Sequence, residues 1–495
     1  MNGSTRERRF ALVLCVLAAL RVFAFSAAFP FFSNVDEQSH FDLVHKYARG
    51  DIPAGLAPWD ADAARIILLY GSPEYFESPG EAAATASRGP RQPRSAGDRA
   101  AFEREVANLV ASVNHESTQP PVYYVAAGAW YRLGGWLGFR DLQLLYWTRF
   151  LNVFICGALT WLGYRVARTA FPNSGFLRLG VPLLVAFFPQ DVFYSINNDV
   201  LLPLCGGAAF YGLLLIARGA LRGPAFHAGT GLLVAATFLV KFSGVALLPV
   251  AVGWVAIAAL RRPADERRTA FVNGAVLLAA AAIPIGAWLL RNEIVVGDVT
   301  ASAAKVQILG WTLKPWRAVF DHPLFGPSGA IAFWRQTLAT FWRGELVWGL
   351  KPLAAPAWDA FYATSSFAFV VAAVVAARRK LGQPNTAEWS TAAPALALFL
   401  LSLAFLASIS VAYDFGECFY PSRALPYLTS GRLALAALIP FAVLYVSGLA
   451  ALVPRRAGDP VRWALLGLPL LAMTVTEVSL SLPAFGSAYN WFHIH

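Results

Sequence analysis

Hydrophobic residues run along this chain in long unbroken blocks rather than on alternating faces. Apolar stretches cover positions 10–32, 121–138, 142–167, 179–196, 199–217, 229–240, 243–260, 271–290, 361–377, 392–412, 428–453 and 462–480. Many approach about 20 residues, the helix length that crosses a bilayer. A soluble chain of this size would interleave apolar positions with polar ones at helix or strand period. The pattern predicts an all-α polytopic membrane protein.

Short basic clusters punctuate the blocks: Arg165/Arg168/Arg178, Arg218/Arg222, Arg261/Arg262/Arg267/Arg268, Arg378/Arg379/Lys380 and Arg455/Arg456/Arg462. Such clusters mark cytoplasmic loops. If 121–138 crosses the membrane, the first two clusters face outward. If it lies along the outer surface or dips into it, every cluster falls inside and Asn197-Asn198-Asp199 falls outside. The expectation is therefore about eleven transmembrane helices, with an interfacial or re-entrant segment at 121–138. Its Pro120-Pro121 start and its Tyr123, Tyr124, Trp130, Tyr131 and Trp136 suit an interface. Arg6, Arg8 and Arg9 precede the first block, which is about twice a signal-peptide core in length and reads as an uncleaved first span.

This divides the chain into a first transmembrane helix (1–32), a first outer loop with amphipathic or interfacial helices (33–141), a transmembrane module (142–290), a second outer region (291–360) and a C-terminal transmembrane module (361–495). In the first loop, Ser33 or Asn34 is expected to cap a helix beginning at Asp36. Asp98 is expected to cap another, whose Phe102, Val106, Leu109, Val110 and Val113 form one apolar stripe resting on the membrane or on the bundle. The Pro-, Gly- and Arg-rich stretch 87–99 reads as a mobile linker. Trp311, Trp316, Trp334, Trp342, Trp348 and Trp358 read either as an aromatic belt or as surfaces that stack on a sugar or flank a lipid opening.

Composition narrows the function classes. Hydrophobic residues make up 57% of the 495 positions and charged ones 14%, against about 25% charged in soluble domains. The net charge of +11 raises nucleic acid as a partner. The arginines sit between apolar runs, however, and no basic, aromatic-rich soluble module exists, so nucleic acid is excluded. Cys15, Cys156 and Cys205 lie in apolar runs and Cys418 stands alone, so no disulfide framework is implied. The chain has no P-loop and no Gly-rich nucleotide fingerprint. Chemistry at its outer face must draw on a donor already activated and delivered in the membrane.

Asp36 and Glu37 follow directly on the first span. A carboxylate pair at an apolar boundary is costly unless it is paired or used. His40 lies one turn on, on the same face as Asp36. The cluster reads either as a helix-capping carboxylate with a surface histidine or as an ionised base with a neighbour. His115-Glu116 precede the interfacial segment at the same depth. His40, His115, Asp36 and Glu116 are ordinary ligand types for a divalent metal. No tight motif such as HExxH is present, so no cofactor is assigned and a divalent metal stays an alternative. Asp199 sits at the outer end of a span, where a charge is either functional or reaching for water. Lys241 interrupts an apolar hairpin and suits a phosphate or a headgroup. Arg423 and Arg432 flank PYLTSG on the same side, where a guanidinium meets a lipid phosphate. Arg21, within the first span, needs a partner.

The run SNVDEQSHFDLVHKYARGDIP after the first span resembles the first outer loop of GT-C type glycosyltransferases, the family that includes lipid A aminoarabinose transferase and protein O-mannosyltransferases. The likeness continues through HESTQPPVYY, RFLNVFICGALTWLGYRVAR, FFPQDVFYSINNDVLL and FLVKFSGVALLP, over about the first 260 residues. The later YPSRALPYLTSGRLALAALIPF is similar to a subgroup of bacterial relatives. The resemblance implies a helical GT-C fold in a bacterial inner membrane, with the active site facing the periplasm. It implies a polyprenyl-phosphate-linked sugar as donor, membrane lipids as surroundings and a hydroxyl on an acceptor lipid, glycan or protein. Asp36 then matches the general base, Glu37 its supporting neighbour and Asp199 the second-loop acid. His40, His115, Glu116, Tyr123, Lys241, Arg423 and Arg432 become substrate contacts. His115-Glu116 departs from the family order of an acidic residue followed by a basic one. The alternatives are a flippase or transporter of lipid-linked sugars, or a lipid-linked polysaccharide ligase or polymerase.

Overall fold

The computed structural model describes residues 2–33, 36–78, 80, 95–220, 222–379, 389–418 and 420–493, without the side chains of 2–4, 389 and 455. In chain order the helices are α1 (Asn2–Ala28), α2 (Glu37–Arg49), α3 (Ala61–Tyr70), α4 (Ala96–Ala111), α5 (Val122–Trp136), α6 (Asp141–Arg149), α7 (Leu151–Ala170), α8 (Gly175–Ala186), α9 (Leu202–Ala217) and α10 (Pro224–Val240). There follow α11 (Leu247–Leu260), α12 (Ala264–Val296), α13 (Ala303–Ile308), α14 (Trp316–Val319), α15 (Pro327–Arg343), α16 (Pro356–Arg379), α17 (Trp389–Ala412), α18 (Leu438–Leu452) and α19 (Gly458–Phe485). Among the described residues, strand is confined to two-residue pairs and one isolated bridge, Phe31 with Gly71; Ala57–Pro58 with Val113–Asn114 and Thr312–Leu313 with Tyr413–Asp414 tie loops together.

Among the described residues, nine helical stretches are long and apolar enough to cross a membrane; α8 and α10 are shorter apolar helices. The Val122–Trp136 helix is not one of the nine and packs on α2 and α6. The apolar run 179–196 does not form one helix. It stops at Ala186, because Pro189 disfavours helix at the residue before it, and continues as a short 3-10 turn at Asp191–Tyr194.

Bundle helices touch backbone to backbone through small residues, the usual way to associate without a hydrophobic driving force. A Cβ on Gly448 would stand 1.7 Å from the Phe369 carbonyl oxygen, and one on Gly231 2.1 Å from that of Leu277. Gly448→Ala is therefore expected to force α18 off α16 and to destabilise by about 1–3 kcal/mol. A lowered thermal unfolding midpoint in detergent checks this.

Arg21 finds its partners across the bundle. It pairs with Glu477 of α19 and donates to the Tyr194 hydroxyl (2.8 Å) and the Phe188 carbonyl (3.0 Å).

The helices expected in the first loop are present, with different caps. Asp36 has φ 61° and ψ 23° and makes no side-chain cap bond. Instead Glu37 reaches back, accepting from the N–H groups of Phe32 (2.9 Å) and Ser33 (3.4 Å). Asn34 lies outside the described residues. The second helix is capped by Ser95, with Asp98 completing a reciprocal capping box. Its stripe rests on α3, with Val106 buried, while Val113 has left the helix for the short strand pair. Of the stretch 87–99, residues 87–94 lie outside the described residues.

Candidate active site

One cavity of about 1310 Å³ opens at the end of the bundle where α1 finishes. It lies between the loop helices and α15, α17 and the 3-10 stretch Gly431–Ala437. Asp36, His115, Glu116, Lys241, Lys305, Glu345 and Arg432 all line it.

Each of these side chains is placed by a local device. Asp36 is set by its left-handed backbone, a conformation that Asp and Asn tolerate better than other non-glycine residues. Glu116 is fixed by Asn114, whose side-chain oxygen accepts its N–H (2.9 Å). Asn114 in turn donates to Asp42 (2.8 Å) and the Ser39 carbonyl (2.9 Å) of α2. Lys241 sits at a sharp turn made possible by Gly244, where a Cβ would stand 2.5 Å from the Thr237 carbonyl oxygen. Glu345 is held by Asp191, which accepts its N–H (2.8 Å). The preceding Gly344 has φ 82° and leaves no room for a Cβ beside Asp191.

The charges interlock. Arg432 reaches Asp36 (3.2 Å), Asp199 (3.5 Å) and Glu345 (3.3 Å). Lys241 pairs with Asp199 (2.7 Å) and donates to Asn198 (3.2 Å). His115 Nε2 lies 3.6 Å from Asp36 and 3.3 Å from Glu116, and Lys305 also pairs with Glu116. Asp36, Glu116, Asp199 and Glu345 are thus met by Arg432, Lys241, Lys305 and His115. Asp199 is fully buried, whereas the Asp36 side chain is 30% exposed to the cavity.

Burial works against the charge on Asp36, but His115 at 3.6 Å and the Arg432 and Lys305 charges outweigh it. They hold its carboxyl well below the usual range. Burial likewise opposes the proton on His115, and the Asp36 and Glu116 carboxylates beside it overcome this, raising its pKa to about 9. The His115 charge therefore contributes stability in full below its ordinary value of 6.5 and loses it as pH rises through about 9. The Asp36 charge contributes above 3.8 and is lost only as pH falls through its depressed value. Activity that depends on the pair is expected to decline as pH passes about 9. His115→Gln should remove that alkaline limb and raise the Asp36 pKa, read from a pH–rate profile of the two proteins.

Asp36, His115 and Glu116 offer three ligand atoms within 4.8 Å of one another. These are ligand types that a divalent ion takes, and an ion here would have to displace cations already in place, Arg432 on Asp36 and Lys305 on Glu116.

Other residues singled out in the sequence fall elsewhere. Glu37 is sealed behind the cavity. It takes two bonds from Arg149 (2.9 and 2.7 Å) and one from the Ile196 N–H (2.8 Å). His40 is buried behind Glu116, with Nδ1 2.7 Å from the Tyr124 hydroxyl, and burial depresses its pKa to about 4. Tyr123 is buried beside the Asn197 backbone. Arg423 stands 64% exposed on the surface, paired with Asp414 (3.0 Å). The structure does not bring these four to the cavity. It adds Lys305 and Glu345, which no local motif announces. Of the tryptophans, Trp311 lines the cavity. Trp342 is buried and stacked on Tyr362 at 4.8 Å, and Trp316 is exposed on the surface.

Apolar helices long enough to cross a bilayer, roofed by short helices over a charged cavity, define a multi-pass helical membrane protein. The chain belongs to the family described as predicted membrane protein (DUF2142), whose model matches residues 19–417. No curated protein matches it. Among solved structures it is similar to the Archaeoglobus fulgidus oligosaccharyltransferase tethered with an acceptor peptide, at 13% identity and a TM-score of 0.45, over 97% of this chain and 55% of that one. The same organism's AglB, an oligosaccharyltransferase in complex with an inhibitory peptide and a dolichol-phosphate, is similar at 12% identity and 0.45, over 98% and 56%. ArnT from Cupriavidus metallidurans bound to undecaprenyl phosphate is similar at 14% identity and 0.32, over 88% and 77%. The chain spans about half the length of the archaeal proteins.

Proposed function

We propose that the chain is an inverting GT-C type glycosyltransferase of a bacterial inner membrane, its cavity facing the periplasm. It would move a sugar from a polyprenyl-phosphate donor to an acceptor hydroxyl. The observation that carries this reading is Asp36, an ionised carboxylate in a left-handed backbone, exposed to the cavity while the acid beside it, Asp199, is sealed. Backbone outliers of this sort persist where surrounding structure enforces them and cluster at active sites.

The chemistry follows from the surroundings. Phe242, Phe405, Ile409 and Leu428 give the cavity an apolar wall beside α17, suited to a lipid chain. Arg335 lines the cavity and makes no ion pair among the described residues, so its guanidinium is available to a leaving phosphate. The acceptor oxygen attacks the anomeric carbon, and the bond from that carbon to the phosphate oxygen breaks. The electron pair leaves with polyprenyl phosphate, and the hydroxyl proton passes to Asp36. A carboxylate of low basicity takes this proton late, once the forming bond has made the hydroxyl acidic.

Purified protein in vesicles, given polyprenyl-phosphate sugars with and without hydroxyl acceptors, tests the reading. Release of polyprenyl phosphate only with acceptor supports it. Movement of the intact donor across the bilayer, without release, would assign the cavity to transport instead.

A further inference from the structure

A second cavity, of about 500 Å³, lies at the opposite end of the bundle. Arg8, Trp161, Arg165, Arg168, Thr169 and Tyr211 line it. Arg8 stands near the start of α1, whose other end leads to Asp36. About twenty residues of helix, or roughly 30 Å, separate the two. This cavity therefore plays no part in the chemistry proposed above.

Its charge balance differs from that of the first. None of its three arginines makes an ion pair among the described residues. Arg165 donates to the Tyr211 hydroxyl (3.2 Å) and lies over its ring at 5.8 Å. Arg168 lies near the Tyr164 hydroxyl, which Glu7 also approaches. The neighbouring Arg178, by contrast, is neutralised by Glu7 at 2.8 Å. Arginines that only mark the inner face need no shared cavity. Three of them around one hollow, with no acid among its lining residues, form an anion site.

The face of α7 below the hollow says what kind of anion. Phe154, Trp161, Arg165 and Arg168 recur at helical spacing on one side of that helix. Phe154 is 62% exposed, and Leu12, one turn from Arg8 on α1, is 46% exposed. α1 packs beside α7 here, where a Cβ on Gly157 would be in ordinary contact with the Cys15 carbonyl oxygen at 3.6 Å. An apolar strip along a spanning helix thus leads up to an indole, a phenol and three guanidiniums. This is the order of groups along a phospholipid, from acyl chain through interface to phosphate.

We propose that this cavity binds the phosphodiester headgroup of an anionic phospholipid, with Arg8, Arg165 and Arg168 on the phosphate and an acyl chain along Phe154. Native mass spectrometry of the full chain, titrated with phosphatidylglycerol or phosphatidylcholine, tests it. The unmodified protein is expected to retain phosphatidylglycerol in preference. Replacing Arg165→Gln and Arg168→Gln together should weaken that binding about 20- to 30-fold. Replacing Arg261→Gln and Arg268→Gln, which removes the same charge from the same end, should leave it unchanged. Equal retention of the two lipids by the unmodified protein, a comparison that needs no variant, overturns the proposal. Equal weakening in both double variants also overturns it. Displacement of bound phosphatidylglycerol by inorganic phosphate would make this a soluble-anion site and overturn the lipid assignment; retention in its presence supports it.

Discussion

Asp36→Asn is expected to fold normally and to lower sugar transfer by about 100- to 10 000-fold, the range a positioned general base contributes. Asn is among the residues that tolerate a left-handed backbone, so the turn at φ 61° survives the exchange. The amide keeps the size and polarity of the side chain but has no oxygen basic enough to take the acceptor proton. Arg432 would retain Asp199 and Glu345, and His115 would retain Glu116, so neither cation is left unpaired. The loss should fall on kcat rather than on donor binding, because the proton moves only as the reaction proceeds. A variant that unfolds at the temperature of the unmodified protein and transfers as fast as it does would remove Asp36 from the mechanism.

Arg149→Ala is expected to have the largest effect on stability, about 3–5 kcal/mol, by leaving a buried carboxylate uncompensated. Arg149 is wholly buried and gathers several segments at once. It donates to Glu37 twice, to the carbonyls of Ser26 (2.9 Å), Phe29 (2.5 Å) and Pro30 (3.1 Å), and lies over the Phe31 ring at 4.0 Å. Glu37 carries the link onward to the backbone of Ile196. The end of α1, the start of α2, α6 and the loop before Asp199 are therefore clamped through one ion pair. Without it the turn that presents Asp36 has lost its anchor, so activity should fall together with stability. Arg149→Met with Glu37→Leu, which removes both charges, should recover part of the lost stability. The check is a double-mutant cycle on thermal unfolding midpoints. A midpoint unchanged by Arg149→Ala would show that the clamp is not needed.

Much of this architecture is written in local pattern. Apolar blocks locate the helices, because a bilayer demands length and composition that a short window of sequence displays. The positive clusters and aromatics around 121–138 set that segment apart as an expectation, and the helix there, Val122–Trp136, is shorter than the nine spanning candidates among the described residues. Asp36, His115, Glu116, Asp199, Lys241 and Arg432 stand out because charge at an apolar boundary is costly wherever it occurs. What pattern cannot supply is pairing between distant positions. Glu37 looks like the twin of Asp36 until Arg149, 112 residues away, claims both of its oxygens. Arg21 shows a need for a partner but gives no hint of Glu477, 456 residues on. Lys305 and Glu345 lie in a region of short helices with no period to read. Their place at the cavity depends on how that region folds over α15, α17 and Glu116. The run 179–196 shows the opposite limit, where hydrophobicity continues past the point at which proline ends the helix.

The most direct test of the proposed chemistry follows the sugar's anomeric carbon. Purified protein and the Asp36→Asn variant are incubated with a panel of polyprenyl-phosphate sugars and acceptors, and product configuration is read by NMR alongside released polyprenyl phosphate. A single displacement assisted by Asp36 predicts equal amounts of product and released carrier, an anomeric configuration opposite to the donor's, and little of either from the variant. A product with the donor's own configuration, or full turnover by Asp36→Asn, would contradict it.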